Sequence, residues 1–409
     1  MTEMPEAPGA PACAELPVSM SPILYFLIFL SGMSYSLLGS LLPDVADLFS
    51  LSRTQASSLP LAQFAGDFFG LILLGFMFSR PRALLVGSAI ALCLSALAIG
   101  AAPGFSLAIK AAFFAYGASL GIMATLPGLM ASRLAPGRSA RAMNTLYGFF
   151  SAGVMVAPVA AGALLAAGVH YRSAFLALGA LAGAAALATA IARAPCPGLG
   201  DGLKPGAVRG LWRDHRSLFI VIALMNFLYV GAETVPNAWM PKYLHDTFPG
   251  SAAFRATLAL SLFWAAITAG RFICASLIRR GARPQAMLAA IGLPALACLV
   301  IAPLARHRLP AEAAFIAAGF FFSGMFPIII SYCDRLPENE LGAMFILVMA
   351  MGMAGAAGAG RGVGVIADKI GFPAGMGVAA VLTLLVLLMV PLLGRTQHPS
   401  RQAEKRGRG

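Results

Sequence analysis

Apolar stretches of about 20 residues recur along nearly the whole chain, each long enough to cross a bilayer as a helix. Twelve are read at 20–42, 56–79, 83–102, 105–131, 142–166, 172–192, 217–239, 256–278, 285–303, 311–333, 341–363 and 372–394. Hydrocarbon leaves no water to satisfy the backbone, so only helices and closed barrels span it. Barrel strands need only about 10 residues each, so runs of this length select helices. Of the 409 residues, 59% are hydrophobic and 11% charged, against roughly 25% charged in soluble domains. These features predict an all-α polytopic membrane protein.

The net charge of +13 raises the question of nucleic acid, which the placement of the charges answers. With the N-terminus inside, the inner segments collect Arg80, Arg82, Arg133, Arg138, Arg141, Arg279, Arg280, Arg283 and the basic tail after Arg395. This is the positive-inside pattern of membrane topology, so no nucleic-acid partner is expected. It predicts a bacterial inner (plasma) membrane protein with both termini cytoplasmic. The N-terminal stretch carries Glu3, Glu6 and Glu15 with no basic region, so the first apolar run is expected to remain as a span. The six cysteines (Cys13, Cys93, Cys196, Cys274, Cys298, Cys333) lack metal-ligand spacing, and the five histidines fall at span ends, loops or tails. No metal, cofactor or enzymatic role is expected.

The polar, Pro/Gly-rich segment 193–216 divides the chain. The expected organisation is an N-terminal tail over 1–19, six-helix halves over 20–192 and 217–394 joined by that cytoplasmic linker, and a basic tail over 395–409. A shift of about 200 residues brings the halves into register. Gly70 then meets Gly270, Pro127 meets Pro327, Ala142-Met143 meets Ala343-Met344, Gly153 meets Gly355 and Gly162 meets Gly364. Repeated halves suggest alternating access around a site between them. Close small-residue pairs such as "GDFFG" (66–70) and "GASLG" (117–121) allow tight helix packing in lipid.

Over nearly its full length the chain resembles the major facilitator superfamily. "GFMFSRPR" (75–82) looks like a degraded helix 2–3 signature, and "GRFICASLIRRGAR" (270–283) like its better-kept copy. "GVMVAPVAAG" (153–162) resembles the helix 5 Gly-Pro motif of antiporters, with Ala157 in place of one Gly, and "YRSAF" (171–175) the start of helix 6. The resemblance implies twelve transmembrane helices in two pseudo-symmetric six-helix halves. "GSLLPDVADLF", "GAETVPNAWMPKY" and "GFFFSGMFP" are similar to the fucose/glucose permease branch. Sugar–proton symporters of that branch carry acids where Gly39 and Ala124 stand here, and an Asn near Gly128.

An ionisable side chain within a span costs about 2.5–3.5 kcal/mol on insertion scales and tends to mark a cavity or a partner. Asn226, Glu233 and Asn237 share one face of span 7, which lines the central cavity in the resembled architecture. With Asp67 they form the expected substrate or proton site, Glu233 and Asp67 both lying towards the outside. Asp67 and Arg361 are expected to pair across the halves as an outer gate. Arg271 is expected to act structurally near the inner gate. Lys110 is a weaker candidate that snorkels, and Tyr229 and Trp239 are aromatic candidates for stacking on a solute. "GAGRGVG" (358–364) superficially matches a dinucleotide loop, but it lies in a span with no strand before it, which favours helix packing.

The sequence therefore predicts a secondary active transporter moving a small organic solute by alternating access, driven by protons or by the solute's own gradient. A drug or metabolite exporter is the alternative, and a non-transporting sensor or scaffold on the same fold a further one. Expected partners are the solute, protons and membrane lipids, with a monomeric carrier.

Overall fold

The computed structural model describes residues 21–134, 139–192, 202–248, 253–333, 336 and 338–395. The expected tails over 1–19 and beyond 395, and the linker residues 193–201, lie outside these.

Sixteen helices follow one another: α1 (Ser21–Leu48), α2 (Arg53–Ala56), α3 (Ser58–Phe76), α4 (Pro81–Ala101), α5 (Leu107–Leu134), α6 (Ser139–Ala166), α7 (Tyr171–Ile191), α8 (Pro205–Asp214), α9 (Arg216–Thr247), α10 (Ala253–Arg279), α11 (Pro284–Leu304), α12 (Arg308–Phe322), α13 (Met325–Ser331), α14 (Glu338–Ile370), α15 (Phe372–Met376) and α16 (Val378–Arg395). Among the described residues they make twelve spans long and apolar enough to cross a membrane. Three spans are interrupted, at Ser57, at Ser323-Gly324 and at Gly377. Twelve crossings return the chain to its starting side. That side is called the terminal end here, and the other the far end.

Prolines punctuate without breaking. Pro81, Pro205 and Pro284 open α4, α8 and α11, where the missing N–H has no helical partner to lose. Pro236 and Pro241 lie inside α9, which nevertheless runs 32 residues. The expectation of a span ending at 239 is thus corrected: the helix continues eight residues further.

The halves are built by close backbone contact. "GDFFG" and "GASLG" pack directly on each other: a Cβ at Gly66 or Gly70 would overlap the carbonyls of Phe114 or Ala118, and one at Gly117 or Gly121 those of Gln63 or Asp67. Such approach supplies the dispersion contacts that hold helices together where burial from water cannot. The repeat is equally physical. Gly153 on α6 packs against Phe29 of α1, and its counterpart Gly355 on α14 against Phe227 of α9. Gly162 meets Thr257 of α10, while Gly364 meets Ser57 and Arg53 at the start of the second span. Across the halves, α1 packs on α9, α3 on α14 and α6 on α10.

Part of the linker is ordered as α8. Its Leu203 lead-in donates N–H to the Gly75 carbonyl at the end of α3 (3.0 Å), satisfying a helix-terminal acceptor. Ala207 and Leu211 are buried while Trp212 is exposed. The exposed Asp214 is held below the ordinary carboxylate range by its hydrogen bonds from Arg213.

Gly117→Leu should therefore lower stability by about 1–3 kcal/mol through overpacking, read as a fall in the thermal midpoint of the purified protein. Gly87→Ala, where an added methyl meets nothing within 4 Å, should leave the midpoint unchanged or slightly raised.

Candidate transport site

Two polar layers lie between the halves, one at mid-membrane and one at the far end. The middle layer gathers on five helices, α1, α3, α6, α9 and α10. Glu233 is seventeen residues from one end of α9 and fourteen from the other, and Asp67 is nine residues from both ends of α3. The expectation that both lie towards the outside is corrected: both are central, because α9 extends further and α3 ends sooner than the hydropathy implies. Glu233 Oε1 accepts a hydrogen bond from Tyr229 Oη (2.8 Å) one helical turn before it. The same hydroxyl lies 3.3 Å from the Phe322 carbonyl.

Arg271 is eight residues from the end of α10, about 12 Å inside it. Its Nη1 donates to Ser151 Oγ on α6 at 3.3 Å, and its Nε is buried without a partner. Its helix α10 packs on α6, which carries Tyr147, and on α9, which carries Tyr229 and Glu233. The bond to Ser151 crosses the halves on the terminal side of α10, the side of the expected inner gate. Tyr35 of α1 stands against the same layer. Its ring contacts Phe64 (5.8 Å), Phe150 (6.0 Å) and Trp264 (6.1 Å) from α3, α6 and α10. Among the described residues, none of Asp67, Glu233 and Arg271 makes an ion pair within 4.0 Å.

The two asparagines serve packing. Asn226 Nδ2 donates to the Val348 carbonyl of α14 (2.8 Å), and Asn237 Oδ1 accepts from Trp264 Nε1 (2.9 Å). Both are fully buried. The stripe on α9 is real as a helical face, but its members turn to different neighbours. Trp239 Nε1 donates to the Gly360 carbonyl (3.0 Å), so "GAGRGVG" lies within the continuous helix α14 as a packing surface. Lys110 sits over the Phe105 ring at 4.6 Å, near the start of α5 and away from the central layer.

The far-end layer joins the halves by charge. Lys242 Nζ lies 3.2 Å from both Asp47 of α1 and Asp246 of its own helix. Arg53 reaches Asp246 (3.5 Å) and covers the Phe372 ring. Asp368 accepts from the backbone N–H groups of Arg53 (3.2 Å) and Thr54 (2.7 Å), a carboxylate at a helix start. Arg361 donates to the Thr54 carbonyl and to Ser57 Oγ (2.8 Å). Its expected pairing with Asp67 is corrected here. Ser57 precedes Asp67 by ten residues, about 15 Å of helix, and Asp67 is not among Arg361's partners. Arg361 does join the halves, but through the start of the second span. Gly39 gains a reason too: a Cβ there would overlap the Asn237 carbonyl where α1 crosses α9.

Residues 24–360 match the family model for the Major Facilitator Superfamily. The chain belongs to that superfamily. Among solved structures it is similar to a bacterial homologue of the human lysosomal transporter Spinster, inward-facing and unoccupied, at 15% identity over 94% of this chain and 98% of that one, with a TM-score of 0.76. The E. coli fucose:proton symporter matches at 20% identity over 92% and 98%, with a TM-score of 0.65. A D-xylose-proton symporter matches at 14% over 92% and 97%, with a TM-score of 0.71. At these identities the likeness is one of fold. No curated protein sequence matches the chain.

The sequence reading missed Tyr35, Lys242, Asp47, Arg53, Asp246 and Asp368. The i, i+4 spacing of Lys242 and Asp246 in "KYLHD" was the available signal. The far-end charges predict that Lys242→Ala loosens the closure. In a cysteine-free background carrying Ala256→Cys, a residue lining the far-end cleft beside Asp47 and Pro241, labelling by an impermeant maleimide should speed up about tenfold. That corresponds to about 1.4 kcal/mol of population shift. An unchanged rate would show that the clasp does not hold the halves together.

Proposed function

We propose that this superfamily member is a proton-coupled carrier of a small organic solute, with its site in the central layer. The observation that carries this reading is the set of three ionisable groups on α3, α9 and α10, the buried Asp67 and Glu233 and the half-buried Arg271, which form none of the ion pairs found among the described residues. A static structural charge in hydrocarbon would be tightly paired, as Lys242 is at the far end. Groups left unpaired between two moving halves are available to solute and protons.

The charge distribution supports cytoplasmic termini. At the far end Lys242, Arg53, Arg255 and Arg308 all have carboxylate partners, whereas Arg80, Arg280 and Arg283 at the terminal end are exposed and form none of the ion pairs found among the described residues, in keeping with the positive-inside rule. On this orientation the far-end layer is the outer gate, closed here. Opening it requires separating Lys242 from Asp47 and Arg361 from the second span. The carrier acts as a monomer, each chain holding a complete site, in a bacterial-type plasma membrane.

Proteoliposomes with a lumenal pH indicator test this with neutral, cationic and anionic solutes. Wild-type protein should move protons with at least one solute class, and Glu233→Gln should lose that coupling by tenfold or more. Absence of solute-linked proton movement in the wild type would overturn the reading in favour of a non-transporting sensor or scaffold.

A further inference from the structure

Among the three central ionisable groups, one cannot be neutralised. A carboxyl sheds its charge by taking a proton, whereas a guanidinium stays protonated at any accessible pH. The permanent charge of the site is therefore Arg271, and its surroundings leave it unsatisfied. Of its five donors, the structure uses one, the 3.3 Å bond to Ser151 Oγ, while Nε is buried with no acceptor. The side chain is half-buried on α10. That helix packs on α6, which supplies Ser151, and on α9, which carries the hydrogen-bonded pair Tyr229 and Glu233.

We propose that the solute is an organic monocarboxylate with an aromatic or branched apolar body, bound by Arg271, and that Glu233 takes up one proton for each anion bound. The proposal rests on the reading above that the central layer is the transport site. A planar fork with free donors matches a carboxylate. One guanidinium balances one negative charge, which disfavours phosphate dianions. The ring cluster of Tyr35, Phe64, Phe150 and Trp264 supplies an apolar surface for the body of the solute.

Charge balance gives the coupling. In the empty site the Glu233 carboxylate offsets Arg271. An entering carboxylate takes over that role, leaving two negative charges beside one positive in a low-dielectric layer, where each close like-charge pair is costly. Uptake of one proton by Glu233 restores neutrality, the new carboxyl O–H donating to Tyr229 Oη as that hydroxyl turns its own proton to the Phe322 carbonyl. The loaded site carries one anion and one added proton, so the two cross together without net charge.

The test uses the full chain in proteoliposomes with 4-hydroxyphenylacetate and 2-hydroxyisocaproate as probes, each beside the amide and the amine of the same carbon skeleton. The acids should be carried at least tenfold faster than the amides or amines. Their apparent affinity should fall by up to tenfold per pH unit once Glu233 ionises in the empty carrier. Arg271→Gln should lose carriage at an unchanged thermal midpoint, while Arg271→Lys should retain part of it with a raised KM. Glu233→Gln should retain counterflow of the acids but lose their pH-driven accumulation. Proton-linked flux of amides or amines equal to or above that of the acids overturns the anion assignment and leaves the coupled-carrier reading standing. Acid flux unaffected by Arg271→Gln, or no acid flux at all, likewise overturns it. Failure of proton-linked flux for every solute class removes both.

Discussion

The free energy of an uncompensated charge in hydrocarbon governs where this chain puts its ionisable groups. At the far end each described cation between the halves is matched. Lys242 lies between two aspartates, Arg53 meets Asp246, and Arg361 meets a helix start whose N–H groups are held by Asp368. These contacts share partners, Asp246 serving both Lys242 and Arg53, so the layer opens as a unit. The central layer is the exception: the buried Glu233 and Asp67 and the half-buried Arg271 form none of the ion pairs found among the described residues. That contrast separates a gate from a site.

Backbone proximity makes the contrast usable. The glycine faces of α3 and α5 hold the second and fourth spans together as one body, and equivalent glycines tie α6 to α1 and α14 to α9. Rigid six-helix bodies can rock about a central layer without rebuilding their own cores. Gly39 shows the cost of this arrangement in chemistry. Where the resembled sugar symporters carry an acid, α1 here approaches the α9 backbone too closely for any side chain. In the proposed mechanism the proton chemistry is left to α9, at Glu233.

Much of this was legible in the sequence. The spans, the repeat and the packing role of "GDFFG" and "GASLG" follow from length, period and residue size, which act locally. Glu233 stood out because a lone acid in an apolar run is expensive wherever the helix ends. Its depth did not follow, since Lys242 reads as the end of a span until Asp47, 195 residues away in sequence, is seen beside it. The Asp67–Arg361 pairing failed for a similar reason. Two opposite charges on facing helices satisfy the pattern, but ten residues of helical rise separate Asp67 from the atoms Arg361 actually reaches. Arg271 was legible as a motif residue and illegible as a site residue, because its neighbours Ser151 and Glu233 come from α6 and α9.

The central claim is that Glu233 exchanges its negative charge for a proton when the site fills. Infrared difference spectra of the purified carrier, recorded on adding 4-hydroxyphenylacetate, read that exchange directly. A protonated-carboxyl band should appear in the wild type and be missing in Glu233→Gln. A spectrum in which the anion binds and no carboxyl changes state would contradict it.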